Sequence, residues 1–449
     1  MIHSSWQQKS PTSTSVLIIG AGAAGLAAGQ ALAAAGIPAI ILEARDRLGG
    51  RVHTRYDFAA TPVEAGAEFI HGEGAVVHSL AQQYGIQPWP IHRYQHLWWG
   101  QPGQAAQPLR DLPASLAQTL AGLLKIWDQL GVDPMQPDLS LADFVLKQGW
   151  DPAVLEMADT LLAQPCCSTL ADLSCQDWIR ENRVDRSGKQ EFRLPQGYGH
   201  LLQQYAQGLN IRLHTPVDQI DWGHSHSGSP QVKVWSGSHC FTAAACVVTV
   251  PVAILQTGSL RFDPPLSLAK QAAIAAFRVD PATKLIYRFA PPDPWPDPQM
   301  MIAHLGLTAR WWIPQPQQDP VIISFISADR ARQIDALPAS EALDLGLQEL
   351  GSLLGRSFAD LKAQCLAAER LSWGQDPYAL GGYAHLPPGQ ADARIELARP
   401  EAGILFFAGE ASAYTSNPQT VHGALESGWR AAQECLVLGG VNVPTINNY

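Results

Sequence analysis

The sequence has few charged residues and no excess of basic ones. Of its 449 residues only 16% are charged, and the formal net charge at pH 7 is −10. A surface that binds nucleic acid needs a basic face to neutralise phosphates, so this balance argues against such a partner. The same negative charge mildly favours the attraction of cationic small molecules.

Long apolar runs and cysteine patterns are also missing. The first fourteen residues are polar, and polar and helix-breaking residues interrupt the apolar stretch 23–42, so neither a secretion signal nor a membrane span is predicted. The seven cysteines lack framework spacing, and adjacent Cys166 and Cys167 form neither a CxxC motif nor a metal-ligand pattern. We therefore expect a reducing, cytoplasmic location, no metal site and no redox role for these thiols.

The start of the chain does contain a strand, a glycine turn and a helix. Aliphatic Val16–Ile19 is followed by a GxGxxG motif and by an alanine-rich helical stretch to about residue 35. Gly20 permits the tight turn, Gly22 allows a pyrophosphate to approach the backbone, and Gly25 lets the helix lie close to the strand. The pattern predicts a dinucleotide site.

A second apolar strand, Ala39–Leu42, completes this βαβ unit and ends in Glu43, whose carboxylate is placed to accept hydrogen bonds from ribose hydroxyls. The next loop carries Arg45, Gly50 and Arg51, and its guanidinium groups suit a second grip on a diphosphate. The segment ILEARDRLGGR resembles the extended fingerprint of FAD enzymes related to glutathione reductase and amine oxidase. This resemblance excludes NAD as the primary ligand.

Further blocks, spread over nearly the whole chain, resemble the flavin-containing amine oxidases and the polyamine oxidases in particular. They are GAEFIHG at 66–72, VVTVPVAIL at 247–255, FDPPLSLAKQAAI at 262–274, TKL at 283–285, WGQDPYALGGY at 373–383 and the block at 406–432. The resemblance implies an α/β fold with a Rossmann-like FAD-binding domain of the glutathione reductase/amine oxidase type and an α+β substrate-binding domain. The domains are assigned to 1–75, 195–275 and 396–449 (FAD-binding) and to 76–194 and 276–395 (substrate-binding).

The pattern of apolar residues predicts the layers of the substrate-binding domain. Helical periodicity in 109–130 and 153–162 contrasts with strand-like alternation in the piece 276–395. We therefore expect a helical lid over an antiparallel sheet.

The resemblance also implies which residues hold non-covalent FAD, in addition to the glycines, Glu43 and the arginines above. These residues are Gly66, Ala67, Glu68, Val217 on a short strand at 213–220, Trp373, Gly409, Glu410, Thr420 and Val421. Part of this has a physical reason of its own. A strand at 404–407 would deliver Glu410 to the ribityl hydroxyls, and a helix that begins at Val421 would point its first N–H groups at the negative charge of the reduced ring.

Four residues are candidates for the chemistry. Lys284 matches the family lysine that reaches flavin N5 through a water, and Tyr383 matches one wall of the aromatic cage at the flavin face. Thr420 stands where the family commonly has the second cage tyrosine, a departure that resembles spermine and spermidine oxidases. His71 comes from a loop that passes the flavin and the substrate tunnel in the family, where it would hold a substrate nitrogen or serve as a structural donor.

Two carboxylates are weaker candidates for binding a distal ammonium group. Asp177 and Glu191 flank a segment of the expected helical part of the substrate-binding domain, and either could pair with a substrate cation.

These observations favour an FAD-dependent oxidase of amines, with spermine and spermidine as the preferred class. Hydride passes from the carbon beside the nitrogen to flavin N5, giving an imine that hydrolyses to an aldehyde, and O2 is reduced to H2O2. The alternatives are an L-amino acid oxidase, for which GAEFIHG supplies no arginine, and a monoamine oxidase. A desaturase or protoporphyrinogen oxidase type, a demethylase and a non-catalytic flavin-binding scaffold rank lower. The expected partners are a small amine and O2, without nucleic acid or membrane, in a monomer or weak homodimer.

One prediction concerns the attachment of the flavin. Covalent monoamine oxidases attach their flavin to a cysteine, and residues 411–414 of this chain offer none. We expect a yellow protein whose FAD is released when the polypeptide is denatured in acid and filtered. Flavin absorbance that stays with the precipitated chain would contradict this.

Overall fold

The computed structural model describes residues 12–101, 103–225, 228, 230–292, 294–297, 299–314 and 320–438. At its centre lies a parallel sheet of five short strands that come from distant parts of the chain. Their order is Ile211–Arg212, Ala39–Leu42, Val16–Ile19, Ala245–Val248 and Leu405–Phe407. The strands are almost entirely apolar because both faces of the sheet are covered.

Two helices pack on one face of this parallel sheet. They are the nucleotide helix (Ala23–Ala34) and the C-terminal helix (Val421–Leu438), and they lie against each other. A Cβ added to Gly428 would lie 2.2 Å from the carbonyl oxygen of Ala24, so the helices approach backbone to backbone at a residue that must lack a side chain. The two ends of the chain therefore form one layer.

A second sheet covers the other face. Its order is Thr12–Ser13, His239–Ala243, Pro230–Ser236, Gln219–His224 and Arg261–Asp263. Because side chains alternate along a strand, Leu17 and Ile19 pack toward this sheet and Ile18 toward the helices. The side of the second sheet also contains three helices, Val252–Thr257, Leu268–Ala276 and Ala393–Ala398. The side of the nucleotide helix contains two more, Val76–Gln83 and Tyr198–Tyr205.

The rest of the structure is built on a seven-stranded sheet that is antiparallel except for one parallel pair. Its order is Cys365–Ser372, Ala282–Phe289, Val321–Ser327, Arg310–Trp312, Met301–His304, Leu97–Gly100 and Gln107–Pro108. One face packs on helices Ala328–Ala336, Ala339–Leu354 and Phe358–Gln364. The other packs on helices Ala114–Leu123, Ile126–Leu130, Leu141–Lys147, Leu155–Ala158 and Cys175–Val184.

Short ribbons and turns join these layers. Strand Glu191–Arg193 pairs with Ile70–His71 and Trp89–Ile91, Thr54–Arg55 with Val63–Glu64, and Arg278–Val279 with Ala384–His385. Single turns of 3-10 helix occur at Arg93–His96, Leu109–Asp111, Pro152–Val154, Gln164–Cys166 and Glu410–Ser412, and a turn of π-helix occurs at Asp159–Ala163. No helix among the described residues combines the length and apolar content needed to cross a membrane.

The predicted α/β class is confirmed, and three details are corrected. The predicted strand at 213–220 is wrong, since Val217 lies in the loop between strands Ile211–Arg212 and Gln219–His224. The predicted boundary at 395/396 falls inside helix Ala393–Ala398, which packs on helix Leu268–Ala276. The piece 276–395 also contains three helices that strand-like alternation did not predict, because amphipathic helices and half-buried strands bury similar fractions of apolar residues.

A buried lysine holds the end of helix Ala393–Ala398 in place. Lys270 is 1% exposed, and its Nζ donates to the carbonyl oxygens of Glu396, Leu397 and Arg399 at 2.6, 2.7 and 2.6 Å. Carbonyls in the last turn of a helix have no partner within the helix, so the ammonium group satisfies them.

We predict that Lys270→Met destabilises the protein by about 2 to 4 kcal/mol, because three buried carbonyls lose their donor. The matched control is Lys362→Met, which removes a half-exposed lysine paired with Asp344 and should cost less than about 0.5 kcal/mol. Denaturant midpoints of the two variants, measured on the FAD-loaded protein, test the difference. Equal midpoints would show that the three contacts contribute no stability.

Candidate active site

The glycine turn has the shape that a diphosphate requires. Gly20 has φ +105°, and a Cβ on Gly25 would lie 1.9 Å from the carbonyl oxygen of Gly20, so neither position accepts a side chain. At Gly22 a Cβ would meet nothing closer than the carbonyl oxygen of Gly49, at 3.8 Å. The turn is therefore closed on the strand side and open at Gly22, at the N-terminus of the nucleotide helix, where an anion is stabilised.

Glu43 connects this turn to the arginine loop. Its buried carboxylate accepts hydrogen bonds from the backbone N–H of Ala21, at 2.7 Å, and of Arg45, at 2.9 Å. The guanidinium group of Arg45 pairs with Asp376, with an NH1–Oδ2 distance of 2.7 Å. This ion pair competes with the predicted contact between Arg45 and a diphosphate, which stays a prediction.

The loop that carries Val217 begins against the same region. The N–H of His214 donates to the carbonyl of Arg45, and that of Thr215 to the carbonyl of Glu43, at 2.9 and 2.8 Å. Val217 is half-buried next to the core of the parallel sheet. Its predicted backbone contact with adenine therefore does not need a strand.

Arg51 and Glu410 join three distant segments. The NH1 group of Arg51 lies 3.0 Å from Oε1 of Glu410 and also donates to the carbonyl of Gly382. The buried Glu410 carboxylate accepts further hydrogen bonds from the N–H groups of Ala384, at 3.1 Å, and Gln419, at 3.2 Å. Beside it Gly409 has φ +131°, and a Cβ there would meet nothing within 4 Å.

The C-terminal helix begins next to this cluster. The hydroxyl of Thr420 accepts a hydrogen bond from the N–H of Gly423, at 2.9 Å, and donates to the carbonyl of Asn417, at 2.7 Å. Thr420 is therefore the N-cap of the helix, and the N–H groups of Val421 and His422 have no acceptor within the helix. A role of Thr420 at the flavin stays a prediction.

His422 follows in the first turn of this helix. Burial, together with the nearby His71, lowers its pKa to about 3, so the imidazole is neutral at physiological pH. Among the described residues its Nε2 has no hydrogen-bond partner. The sequence analysis did not single out this residue.

Lys284 is buried on the second strand of the seven-stranded sheet. It lies in strand Ala282–Phe289 and is 4% exposed. Its Nζ donates to the carbonyls of Glu64 and Gly66, both at 2.9 Å, and lies 3.0 Å from Oε2 of Glu68. The lysine is thus held against the segment 64–68, of which Gly66, Ala67 and Glu68 were predicted to bind the flavin.

Glu68 has partners that the sequence did not predict. Its Oε1 accepts a hydrogen bond from Trp312 Nε1, at 2.8 Å, and lies 3.0 Å from NH2 of Arg193. Burial alone would raise the pKa of this carboxyl, but the charges of Lys284 and Arg193 and the hydrogen bonds outweigh burial and lower it. The side chain forms a buried charge cluster, and its contact with the cofactor stays a prediction.

Aromatic rings surround this cluster. The rings of Phe69 and Trp312 have centroids 5.4 Å apart, and Phe325 lies 6.3 Å from Trp312. Arg193 lies over the ring of Phe69, at 4.9 Å. No sequence signal linked these residues, because they come from four separate segments.

Trp373 and Tyr383 lie close to the same segments. Trp373 donates from Nε1 to the carbonyl of Ala65, at 2.9 Å, so it shares the segment 64–66 with Lys284. The hydroxyl of Tyr383 donates to the carbonyl of Pro165, at 3.0 Å. Tyr383 directly precedes Ala384, a partner of Glu410, and therefore lies next to the Arg51–Glu410 cluster.

Of the remaining candidates, His71 and Glu191 lie side by side, whereas Asp177 lies in a different ion pair. His71 is half-exposed, and its Nδ1 lies 3.1 Å from Oε1 of Glu191 on the paired strand. Both oxygens of Asp177 pair with buried Arg394, at 2.8 to 3.0 Å. The prediction for Asp177 is therefore wrong, since its carboxylate is already neutralised, whereas Glu191 stays a candidate.

The chain matches known proteins over nearly its full length. The model of a family described as flavin containing amine oxidoreductase matches residues 23–436. Polyamine oxidase 4 of Oryza sativa subsp. japonica is 30% identical over 94% of this chain and 88% of its own. Lysine-specific histone demethylase 2 of Homo sapiens is 28% identical over 94% of this chain and 53% of its own. The structure of wild-type putrescine oxidase bound to putrescine has a TM-score of 0.78 at 18% identity, covering 95% of this chain and 100% of that one.

A parallel sheet closed by both chain ends, an open glycine turn and a helix N-terminus define a dinucleotide-binding oxidoreductase. The chain belongs to the flavin-containing amine oxidoreductase family. It is a flavin-dependent amine oxidase with FAD as cofactor, acting on small amines with O2, which confirms these predictions. The residues present fit FAD, since Gly22 and Gly409 leave room beside the sheet and the C-terminal helix begins next to Arg51 and Glu410.

We predict that Glu43→Ala lowers FAD retention more than it alters the turnover of enzyme that still holds FAD. The carboxylate fixes the N–H groups of Ala21 and Arg45, and the ribose contact predicted for it is remote from flavin N5, where the chemistry takes place. The ratio of flavin absorbance to protein after gel filtration, and activity per bound flavin, are the measurements. Glu369→Gln, which removes a carboxylate paired with Arg55, is the control. Full flavin occupancy in the Glu43→Ala protein would count against this site.

Proposed function

We propose that this enzyme oxidises polyamines of the spermine and spermidine class. Bound FAD would supply the acceptor for hydride from the carbon beside the nitrogen, and the imine product would hydrolyse to an aldehyde. The observation that carries the proposal is a strand face that leads outward from Lys284. On this face Glu191 lies opposite His71, and Arg193 lies over the ring of Phe69. The residues between them, Phe192 and Ile70, point to the other side of the ribbon, into the core.

This face offers a different environment at each end. At its inner end Arg193 is neutralised by Glu68, and the rings of Phe69 and Trp312 supply apolar walls. At its outer end the half-exposed His71 lies beside the Glu191 carboxylate. A neutral nitrogen at the reacting carbon suits the inner end, and a second, charged nitrogen suits Glu191. A substrate with several nitrogens on a flexible chain matches both ends.

The chain's own residues perform three tasks in this proposal. The aromatic side chains exclude water from the reacting carbon, and Tyr383 and Trp373 line its approach. Lys284 carries a fixed positive charge next to the segment 64–68. O2 becomes superoxide, an anion, when it accepts its first electron, so a cation at this position lowers the barrier to its reduction.

The alternatives have less support. An L-amino acid oxidase needs an arginine available to a substrate carboxylate, and Arg193, the arginine nearest to Lys284 in this cluster, pairs with Glu68 and two carbonyls. A monoamine oxidase has no use for a carboxylate at the outer end.

An amine panel with peroxide detection tests the proposal. The measured quantity is kcat/KM, and it is compared for spermine, spermidine, acetylated spermine, putrescine, cyclohexylamine, an L-amino acid and a methylated lysine peptide. We expect the polyamines to rank first. Glu191→Gln should raise KM for spermidine about tenfold, the loss of about 1.4 kcal/mol, and leave cyclohexylamine unchanged. Glu73→Gln, a neighbouring exposed carboxylate, is the control for surface charge. A panel led by a monoamine or by the peptide would overturn the proposal.

We further predict that Lys284→Met slows flavin reoxidation by O2 more than anaerobic reduction by amine. Methionine has a similar volume but no charge, whereas hydride transfer from a neutral amine needs no cation at this position. Stopped-flow absorbance separates the two half-reactions, and retained FAD absorbance verifies the fold. A wild-type rate of reoxidation in the variant would remove Lys284 from the site.

A further inference from the structure

Glu68 stands at the centre of a buried charge cluster. Its two oxygens contact Lys284, Arg193 and the indole N–H of Trp312, all within 3.0 Å. The residue is 5% exposed. One carboxylate therefore neutralises one of two adjacent cations, and the cluster keeps a net charge of about +1.

The ammonium group of Lys284 depends on this carboxylate. Its three N–H donors have three acceptors, and only Glu68 among them is charged, the other two being the carbonyls of Glu64 and Gly66. Burial favours the neutral form of an amine, and an opposite charge 3.0 Å away favours the charged form. Arg193 contacts the other oxygen of the same carboxylate. Without Glu68, the buried Lys284 cation would therefore lie near a second cation with no negative charge between them.

A second buried carboxyl in the same segment provides a contrast. Glu64 hydrogen-bonds to Thr54 and to the N–H of Tyr198 through its side chain and contacts Lys284 only through its backbone. Burial raises the pKa of this carboxyl to about 7. The two glutamates are thus equally buried, but only the side chain of Glu68 meets the lysine.

We propose that Glu68 is a positioning residue that keeps Lys284 charged and directed at the segment 64–66, and so sets the pH range over which the reduced enzyme reacts with O2. The inference rests on the proposed role of Lys284 in that reaction. It does not depend on which amine is the substrate. Reduction of O2 to H2O2 takes two electrons and one proton from the anionic reduced flavin and a second proton from solvent, and Glu68 supplies none of them.

The first experiment measures reoxidation of the holoenzyme after anaerobic photoreduction, so that no amine is needed. In Glu68→Gln the decline of the reoxidation rate at high pH should move to lower pH by about one unit or more. Glu68→Asp, which keeps the charge, should restore most of the wild-type profile. The control Glu341→Gln, which removes an exposed carboxylate in the first turn of helix Ala339–Leu354, should leave the profile unchanged. A Glu68→Gln profile that coincides with that of the wild type would overturn the proposal.

A double-mutant cycle tests whether Glu68 acts through the lysine. If it does, Glu68→Gln combined with Lys284→Met should reoxidise at the rate of Lys284→Met alone. An additional loss in the double variant would assign Glu68 a separate role and overturn the proposal. If Lys284→Met itself reoxidises normally, the proposed role of Lys284 fails. In that case a pH shift in Glu68→Gln could not act through Lys284. Failure of the proposed role of Lys284 is thereby distinguished from failure of the proposed role of Glu68.

Unfolding provides a readout that is independent of activity. The pKa of Glu68 is lowered in the folded protein from its ordinary value of 4.5. The stability that its charge contributes is therefore present above about pH 4.5 and is lost as pH falls through the lower, folded value. The wild type should unfold at a higher temperature than Glu68→Gln at pH 7, and the difference should shrink below pH 4.5 in both holoprotein and apoprotein. A difference that does not change with pH would show that the ion pair is not its cause.

Discussion

The pairing of the C-terminal strand with the N-terminal sheet is the constraint on which the rest of the structure depends. Strand Leu405–Phe407 lies parallel to Ala245–Val248, which in turn pairs with Val16–Ile19. Because strands in a parallel sheet end at the same edge, this pairing delivers Gly409 and Glu410 to the edge where the glycine turn begins. Segments nearly four hundred residues apart in the chain therefore form one site.

Buried charges connect the layers around that edge. Lys270 satisfies the end of helix Ala393–Ala398, Arg394 pairs with Asp177 across to helix Cys175–Val184, and Lys284 pairs with Glu68. Each of these ions is almost completely buried and has several partners, because an unpaired ion in the interior is strongly destabilising. The same physical requirement that stabilises the fold thus also fixes the position of the Lys284 cation, for which we propose a role in the reduction of O2.

How far the sequence could predict the site depended on the distance along the chain between interacting residues. Gly20, Gly22, Gly25 and Glu43 act within one βαβ unit of local contacts, and the motif placed them correctly on the turn and at the strand end. The partners of Lys284 were different. The sequence matched the lysine to a family block, but Glu68 and Trp312 meet it only because two strands and the loop that carries Glu68 are brought together.

Local sequence determined most strands of the parallel sheet, the glycine turn and the amphipathic segments, since these follow from side-chain periodicity and from backbone conformations that only glycine adopts easily. Tertiary structure decided which charges are neutralised. Asp177 and Glu191 carry the same functional group in neighbouring segments, yet Arg394 occupies the first and His71 lies beside the second. A carboxylate's role depends on the charges within a few ångströms, and the fold brings these together from residues far apart in the chain.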